Sequence, residues 1–199
     1  VLIDAGANTD CTPKMLAQFA AMGSVYSQII MHQKEPVVGL VSIGGEETKG
    51  NEFTKEAFKL LTKGPLNFRG NVEGHDIFRG ETDVAVCDGF VGNIILKTAE
   101  SVSHAIGHWM KREFKKTPWR LLGAAILKGA FIDMKKTMDP EAHGGALLLG
   151  VNGVCIISHG ASSPRAIFNA VRIAAESVAL DLNHAIIERV GMVNKAGAE

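Results

Sequence analysis

Short apolar runs alternate along the chain with longer stretches in which apolar residues recur every three to four positions. Val1 to Asp4 leads through AGANTDCTP into the periodic stretch Lys14 to Ile30. Val37 to Ile43 leads through GGEETKGN into Glu52 to Leu61, and Val84 to Cys87 leads through DGFVGN into Ile94 to Met110. Val154 to Ile157 leads through SHGASSP into Arg165 to Val190. Brief strands followed by helical periods predict an α/β fold with a largely parallel sheet and helices on its faces. Asn67 to Val72 adds a further short strand, with a small helix or turn at Gly74 to Phe78. The chain is expected to be one α/β unit over 1–199, and its opening inside an apolar strand predicts the later portion of a longer protein.

Right-handed crossovers put every strand-to-helix loop on one sheet edge, where open parallel sheets bind ligands. The four loops are rich in Gly, Asn, Ser, Thr and Asp. In DGFVGN, Gly89 and Gly92 allow close backbone approach, and Asn93 lies near a helix start, where N–H groups favour an anion. The alternative is that Asn93 caps its helix, and that Asp4 and Asp88 cap as well. GGEETKGN brings a cation, Lys49, with Gly50 and Asn51 at the next helix start. It resembles a phosphate loop in logic, but the GxxxxGK[ST] spacing is absent and Lys49 also reads as a solvated loop lysine. SHGASSP sets His159, Gly160, Ser162 and Ser163 at a helix N-terminus, with Ser163-Pro164 placed as cap and first turn. His159 can donate to an anion or shuttle a proton, or be satisfied by backbone. No G-x-S-x-G elbow surrounds either serine.

Composition narrows the classes. Of 199 residues, 46 % are apolar, ordinary for a globular protein. Lys plus Arg equals Asp plus Glu at 21 each, which argues against nucleic acid as a partner. Cys11, Cys87 and Cys155 are odd in number and form no CxxC pair, so neither a disulfide framework nor a zinc site is expected. A reducing, cytoplasmic setting fits, with Cys87 and Cys155 buried in strands. Glu73, His75 and Asp76 lack metal-ligand spacing, and no metal is expected.

One segment departs from the alternation. Lys111 to Pro140 carries eight Lys or Arg residues around an apolar stretch that includes Trp119, Leu121, Leu122, Ile126 and Leu127. With Pro118 suited to a first helical turn, this reads as a protruding helical hairpin over 111–140. Three uses fit it: reversible contact with an anionic membrane, a dimer contact, or a surface for an acidic protein.

VLIDAGAN, MGSVYSQ, KGNE, TKEAF, NFRGNVEG, DIF, VCDGFVGNIILKT, GGALLLGVNG and SHGASS, in this order, resemble the phosphate acyltransferase (PlsX) family of bacterial phospholipid synthesis. The resemblance runs from Val1 to about Arg189 and covers the later part of the family sequence. His143 departs from it, standing where Tyr is usual, as does Pro164-Arg165 after Ser163. The resemblance implies transfer of a long-chain acyl group from acyl carrier protein to inorganic phosphate, giving acyl phosphate and free carrier protein without a cofactor. It implies a three-layer α/β/α fold like that of phosphotransacetylases and isocitrate-type dehydrogenases. It further implies a homodimer, a hairpin that touches membrane, and a glycerol-3-phosphate acyltransferase as downstream acceptor. Lys49 and Asn93 match the family's catalytic positions; Gly50, Asn51, Asp88, Gly89, Gly92, His159, Gly160 and Ser162 are expected to line the phosphate. Two alternatives stand beside this reading: a short-chain enzyme using acyl-coenzyme A, and a non-catalytic dimerising or membrane-binding piece.

Overall fold

The computed structural model describes residues 1–137, 144–158, 160 and 162–197, leaving aside the side chains of 135–137. In chain order the elements are β1 (Leu2–Ile3), α1 (Pro13–Ile29), β2 (Val38–Val41), α2 (Glu52–Lys63), β3 (Phe68–Val72) and α3 (Asp76–Arg79). Next come β4 (Val84–Val86), α4 (Gly89–Phe114), α5 (Pro118–Ile126), α6 (Lys128–Thr137), β5 (Ala146–Leu147), β6 (Ile156–Ile157), α7 (Pro164–Ala179) and α8 (Leu182–Ala196). The described chain groups into two compact units. The first takes Val1–Ile95, Leu148–Cys155 and Ala175–Glu199, the second Leu96–Leu147 and Ile156–Ala174.

The first unit is built on a four-stranded sheet in the order β1-β4-β2-β3, every neighbouring pair parallel. Helices flank it, so the fold is α/β, consistent with the expected three-layer arrangement. The strand sequences explain the order. Val84, Ala85 and Val86 of β4 are all buried, as a strand with neighbours on both sides and helices above and below must be. On β2, Val38 and Leu40 are fully buried, while the edge strand β3 buries only Asn71 and Val72. Connections β1→β2 and β2→β3 advance in one direction, so right-handed crossover puts α1 and α2 on the same face; these two helices pack together.

α1 starts where Thr12 accepts a hydrogen bond from Met15 N and Pro13 occupies the first turn. Its inner face, Leu16, Ala17, Ala20 and Ala21, closes on Val38, Leu40, Val84 and Val86, with Ala57 and Leu61 of α2 and Val193 of α8 completing the core. Each fully buried Val or Leu there contributes roughly 1.5–3 kcal/mol. The alanines let α1 lie close to the sheet, which fixes the loops at the strand ends.

Three sequence expectations are corrected. Val154 to Ile157 is not a further strand of the parallel sheet: Ile156–Ile157 pairs antiparallel with Ala146–Leu147 in a separate two-stranded sheet. The nearby segment Gly144-Gly145 makes this possible. Both glycines have positive φ, +72° and +144°, and a Cβ on Gly145 would lie 2.5 Å from the Ile157 carbonyl oxygen. Cys155 is accordingly exposed rather than buried. The stretch Arg165 to Val190 is two helices, α7 and α8, broken where Asp181 takes a left-handed φ of 49°.

In the second unit, Thr117 caps α5 by accepting from Arg120 N, and Pro118 opens the helix as expected. α5 and α6 pack against each other, and Phe114 meets Phe131 edge to face at 5.3 Å. Trp119 is 81 % and Ile126 77 % exposed; Leu121, Leu122 and Leu127 are exposed as well. Among the described residues no helix is long and apolar enough to cross a membrane.

Candidate functional site

Because β1 to β4 all run parallel, the loops at their ends emerge on one edge, the C-terminal one. β2 and β4 are direct neighbours, and so are β4 and β1. The loop holding Lys49 and the helix start holding Asn93 therefore rise from adjacent strands, with the DAGAN loop beside them.

Asp4 organises that third loop. Its peptide is tied to β4, Asp4 N donating to the Cys87 carbonyl and Cys87 N to that of Ile3, both at 2.9 Å. Its carboxylate, 6 % exposed, accepts Gly6 N at 2.7 Å and Ala7 N at 2.8 Å on Oδ1. Oδ2 accepts Asn8 N and Asn8 Nδ2, each at 2.8 Å. Burial opposes the charge, but hydrogen bonds from Ala7, Asn8 and Gly6 outweigh it and hold the carboxyl below its ordinary pKa. The expected capping role of Asp4 is thus found in fuller form: one carboxylate winds a whole turn around itself.

The DGFVGN corner is packed against this turn. Gly89 N donates to the Asn8 carbonyl at 2.8 Å, and a Cβ on Gly89 would sit 2.6 Å from that oxygen. A Cβ on Gly92 would collide with the Asp4 carbonyl oxygen. A bulkier residue at either place would push α4 off the β1 loop, which explains why so polar and glycine-rich a corner ends a buried strand. Asp88 caps the helix, its Oδ1 accepting Val91 N at 2.9 Å and its carbonyl Gly92 N at 3.0 Å. Asn93 is therefore not the cap. It is exposed, one turn into α4, with its side chain against Gly6: a Cβ on Gly6 would lie 3.6 Å from Asn93 Oδ1. Gly6 has a φ of +138°, so a side chain there is both strained and in the way.

Across from it, α2 is capped by Asn51, whose Oδ1 accepts Thr54 N at 2.9 Å and whose carbonyl accepts Lys55 N at 3.0 Å. Of the first N–H groups of α2, those of Glu52 and Phe53 remain for an outside acceptor. The Asn51 side chain is occupied by capping. Gly50 turns the chain with a φ of +98°. Lys49 is exposed, its backbone N donating to the Glu46 carbonyl at 3.0 Å and its aliphatic stem lying over Gly44. Asn71 Nδ2 donates to the same Glu46 carbonyl at 2.8 Å, pinning the loop to β3. The buried Ser42 hydroxyl beneath this loop has no hydrogen-bond partner among the described residues.

The structure thus brings Lys49, Gly50, Asn51, Asp88, Gly89, Gly92 and Asn93 to one edge of the first unit. Gly160 and Ser162 belong to the second unit; there Ser163 Oγ accepts Ala166 N at the start of α7, as expected. His159, like His143, lies outside the described residues. Sequence reasoning missed Gly6, Ala7 and Asn8 as site residues. Their signal was the Gly-Asn loop directly after a strand-ending aspartate.

The arrangement offers an ammonium group, an amide and the free Glu52 and Phe53 N–H groups of α2 on a water-accessible rim, a set suited to an oxyanion. Cys87 adds no nucleophile: burial first, then the charges of Asp88 and Asp4, push its thiol up to about 12.

A family model described as fatty acid synthesis protein matches residues 1–185. A phosphate acyltransferase of Acidobacterium capsulatum is 49 % identical over 183 residues, 92 % of this chain and 54 % of the relative. One of Nitratiruptor is 50 % identical over 197 residues, 99 % of this chain and 59 % of the relative. One of Desulforamulus reducens is 50 % identical over 199 residues, the whole of this chain and 59 % of the relative. The chain spans a little over half the length of the curated relatives it matches.

Proposed function

The chain belongs to the fatty acid synthesis protein family, and from that premise we propose that it carries the phosphate- and oxyanion-binding elements of a phosphate acyltransferase. The acyl donor in this reading is a long-chain thioester of acyl carrier protein, and the acceptor is inorganic phosphate. A phosphate oxygen attacks the thioester carbonyl carbon, forming a C–O bond and a tetrahedral oxyanion. The C–S bond then breaks, and the thiolate of the carrier protein leaves and takes a proton from water or from His159.

Phosphate is itself the nucleophile, so an activated serine or cysteine has no part. What the protein must supply is attraction for the anion, alignment, and donors for the oxyanion. Lys49 and the N-terminus of α2 attract and align phosphate. Asn93 donates its amide to the oxyanion, and Asp4 and Asp88 position it by holding the β1 loop and the start of α4. The single observation that carries the reading is that the Lys49 loop and the Asn93 helix leave neighbouring parallel strands at the same edge. The names of the relatives support the reaction type. The protein works as a homodimer, with Trp119 and its apolar neighbours on α5 and α6 touching an anionic membrane, and a glycerol-3-phosphate acyltransferase consumes the product.

The test is acyl phosphate formation by the full gene product, trapped as the hydroxamate, with acyl carrier protein and coenzyme A thioesters compared as donors. Lys49→Ala and Asn93→Ala are each expected to lower turnover by about 100- to 1000-fold, the usual effect of losing one such donor, with circular dichroism unchanged. Near-normal turnover in both variants would remove this site from the reaction. A preference for short coenzyme A thioesters would reassign the donor.

A further inference from the structure

The opposite edge of the same sheet holds a polar cavity. Its volume is about 330 Å3, and Ser24, Gln28, Lys34, Glu35, Asn67 and Arg189 line it. All belong to the first unit. Lys34 and Glu35 precede β2 and Asn67 precedes β3, so the cavity sits at the N-terminal strand ends, away from Lys49 and Asn93. Ser24 and Gln28 come from the far half of α1, and Arg189 from α8.

Ser24, 3 % exposed as a residue, forms part of the cavity wall. Two observations make it more than a gap. Lys34 and Arg189 both face the cavity, and neither takes part in an ion pair among the described residues. Two cations without a carboxylate partner, beside hydroxyl and amide donors, favour a multiply charged oxyanion. The floor is also fixed: Asn67 Nδ2 donates to the Glu35 carbonyl at 3.2 Å, and the Asn67 carbonyl accepts Val38 N at 2.9 Å.

We propose that this cavity binds a small phosphate monoester bearing hydroxyl groups. Lys34, Arg189 and the Ser24 hydroxyl hold the phosphate oxygens. The Glu35 carboxylate, which would repel a bare anion, accepts from the ligand's hydroxyls alongside Gln28. The cavity is several times larger than an inorganic phosphate ion, which leaves room for the esterified part.

The test is a titration of the 199-residue chain monitored by backbone amide shifts, with inorganic phosphate, glucose 6-phosphate and unphosphorylated glucose as probes. It is run on the unaltered chain, on Lys49→Ala to silence the other edge, and on Lys34→Gln/Arg189→Gln. Saturable shifts at Ser24, Gln28, Lys34 and Arg189 with glucose 6-phosphate are expected, retained in Lys49→Ala and weakened at least about tenfold in the double variant. Ser24→Ala, which preserves helix α1, should weaken them as well. Glucose should produce none. Equal affinity in the double variant, or shifts confined to the Lys49 edge, would overturn the site. Inorganic phosphate binding more tightly than the ester would overturn the class of ligand.

Discussion

Replacing Asp4 by Asn keeps the size of the side chain and removes its charge, so the cost falls on the hydrogen bonds the carboxylate accepts. Four N–H groups converge on it, two on each oxygen, at 2.7 to 2.8 Å. An asparagine oxygen can accept only two of them, and its NH2 then faces the other two donors head on. A buried donor left without an acceptor costs about 1–3 kcal/mol. Since these groups are part-buried, the lower half of that range applies, and Asp4→Asn should destabilise the first unit by about 2–4 kcal/mol. The loss should also depend on pH. The folded carboxyl sits below its ordinary pKa, so its contribution is fully present above the unfolded value of about 3.9 and fades as pH falls through the folded one. Urea denaturation at pH 7 should therefore show the full gap between the two proteins, and the gap should narrow as pH is lowered toward 3. Equal stability at neutral pH, or a gap that stays constant down to the lowest pH at which the chain folds, would refute the reasoning.

Gly92→Ala forces a methyl group into the Asp4 carbonyl, and should cost about 1–3 kcal/mol while displacing Asn93; thermal melts and acyl phosphate formation should both fall, and an unaffected variant would contradict the close packing of this corner. At pH 8 the exposed Cys155 should react with a thiol reagent well before the buried Cys87, whose thiol stays protonated, and Cys87 should react only on unfolding. Anionic vesicles should sediment the full gene product, and Leu122→Glu, at an exposed position of α5, should release it; unchanged sedimentation would take the hairpin out of membrane contact.

Much of the first unit is legible in the sequence because its apolar runs have one use. Val38, Leu40, Val84 and Val86 are buried by neighbours on both sides, and Thr12-Pro13 and Asn51 mark helix starts by chemistry that does not depend on distant contacts. Helix α4 begins at Gly89 rather than Ile94, because two glycines read as a turn while Asp88 in fact caps a helix through them. The true pairing of Ile156–Ile157 is hidden for a deeper reason. A two-residue apolar run says nothing of its partner, and the deciding feature, the positive φ of Gly144 and Gly145, is a backbone property. The break at Asp181 is hidden likewise, since apolar periodicity continues on both sides of it. In the candidate site, Lys49 and Asn93 stand out as polar groups in glycine-rich loops. The contact of Gly6 with Asn93 does not, because it joins positions far apart in sequence through the parallel pairing of β1 with β4.

The most direct measurement is the position of inorganic phosphate in crystals of the full gene product. The account predicts phosphate at the C-terminal sheet edge, within hydrogen-bond distance of Lys49 Nζ and of the Asn93 amide. Lys49 and Asn93 facing solvent, with no oxyanion at that edge at saturating phosphate, would contradict it.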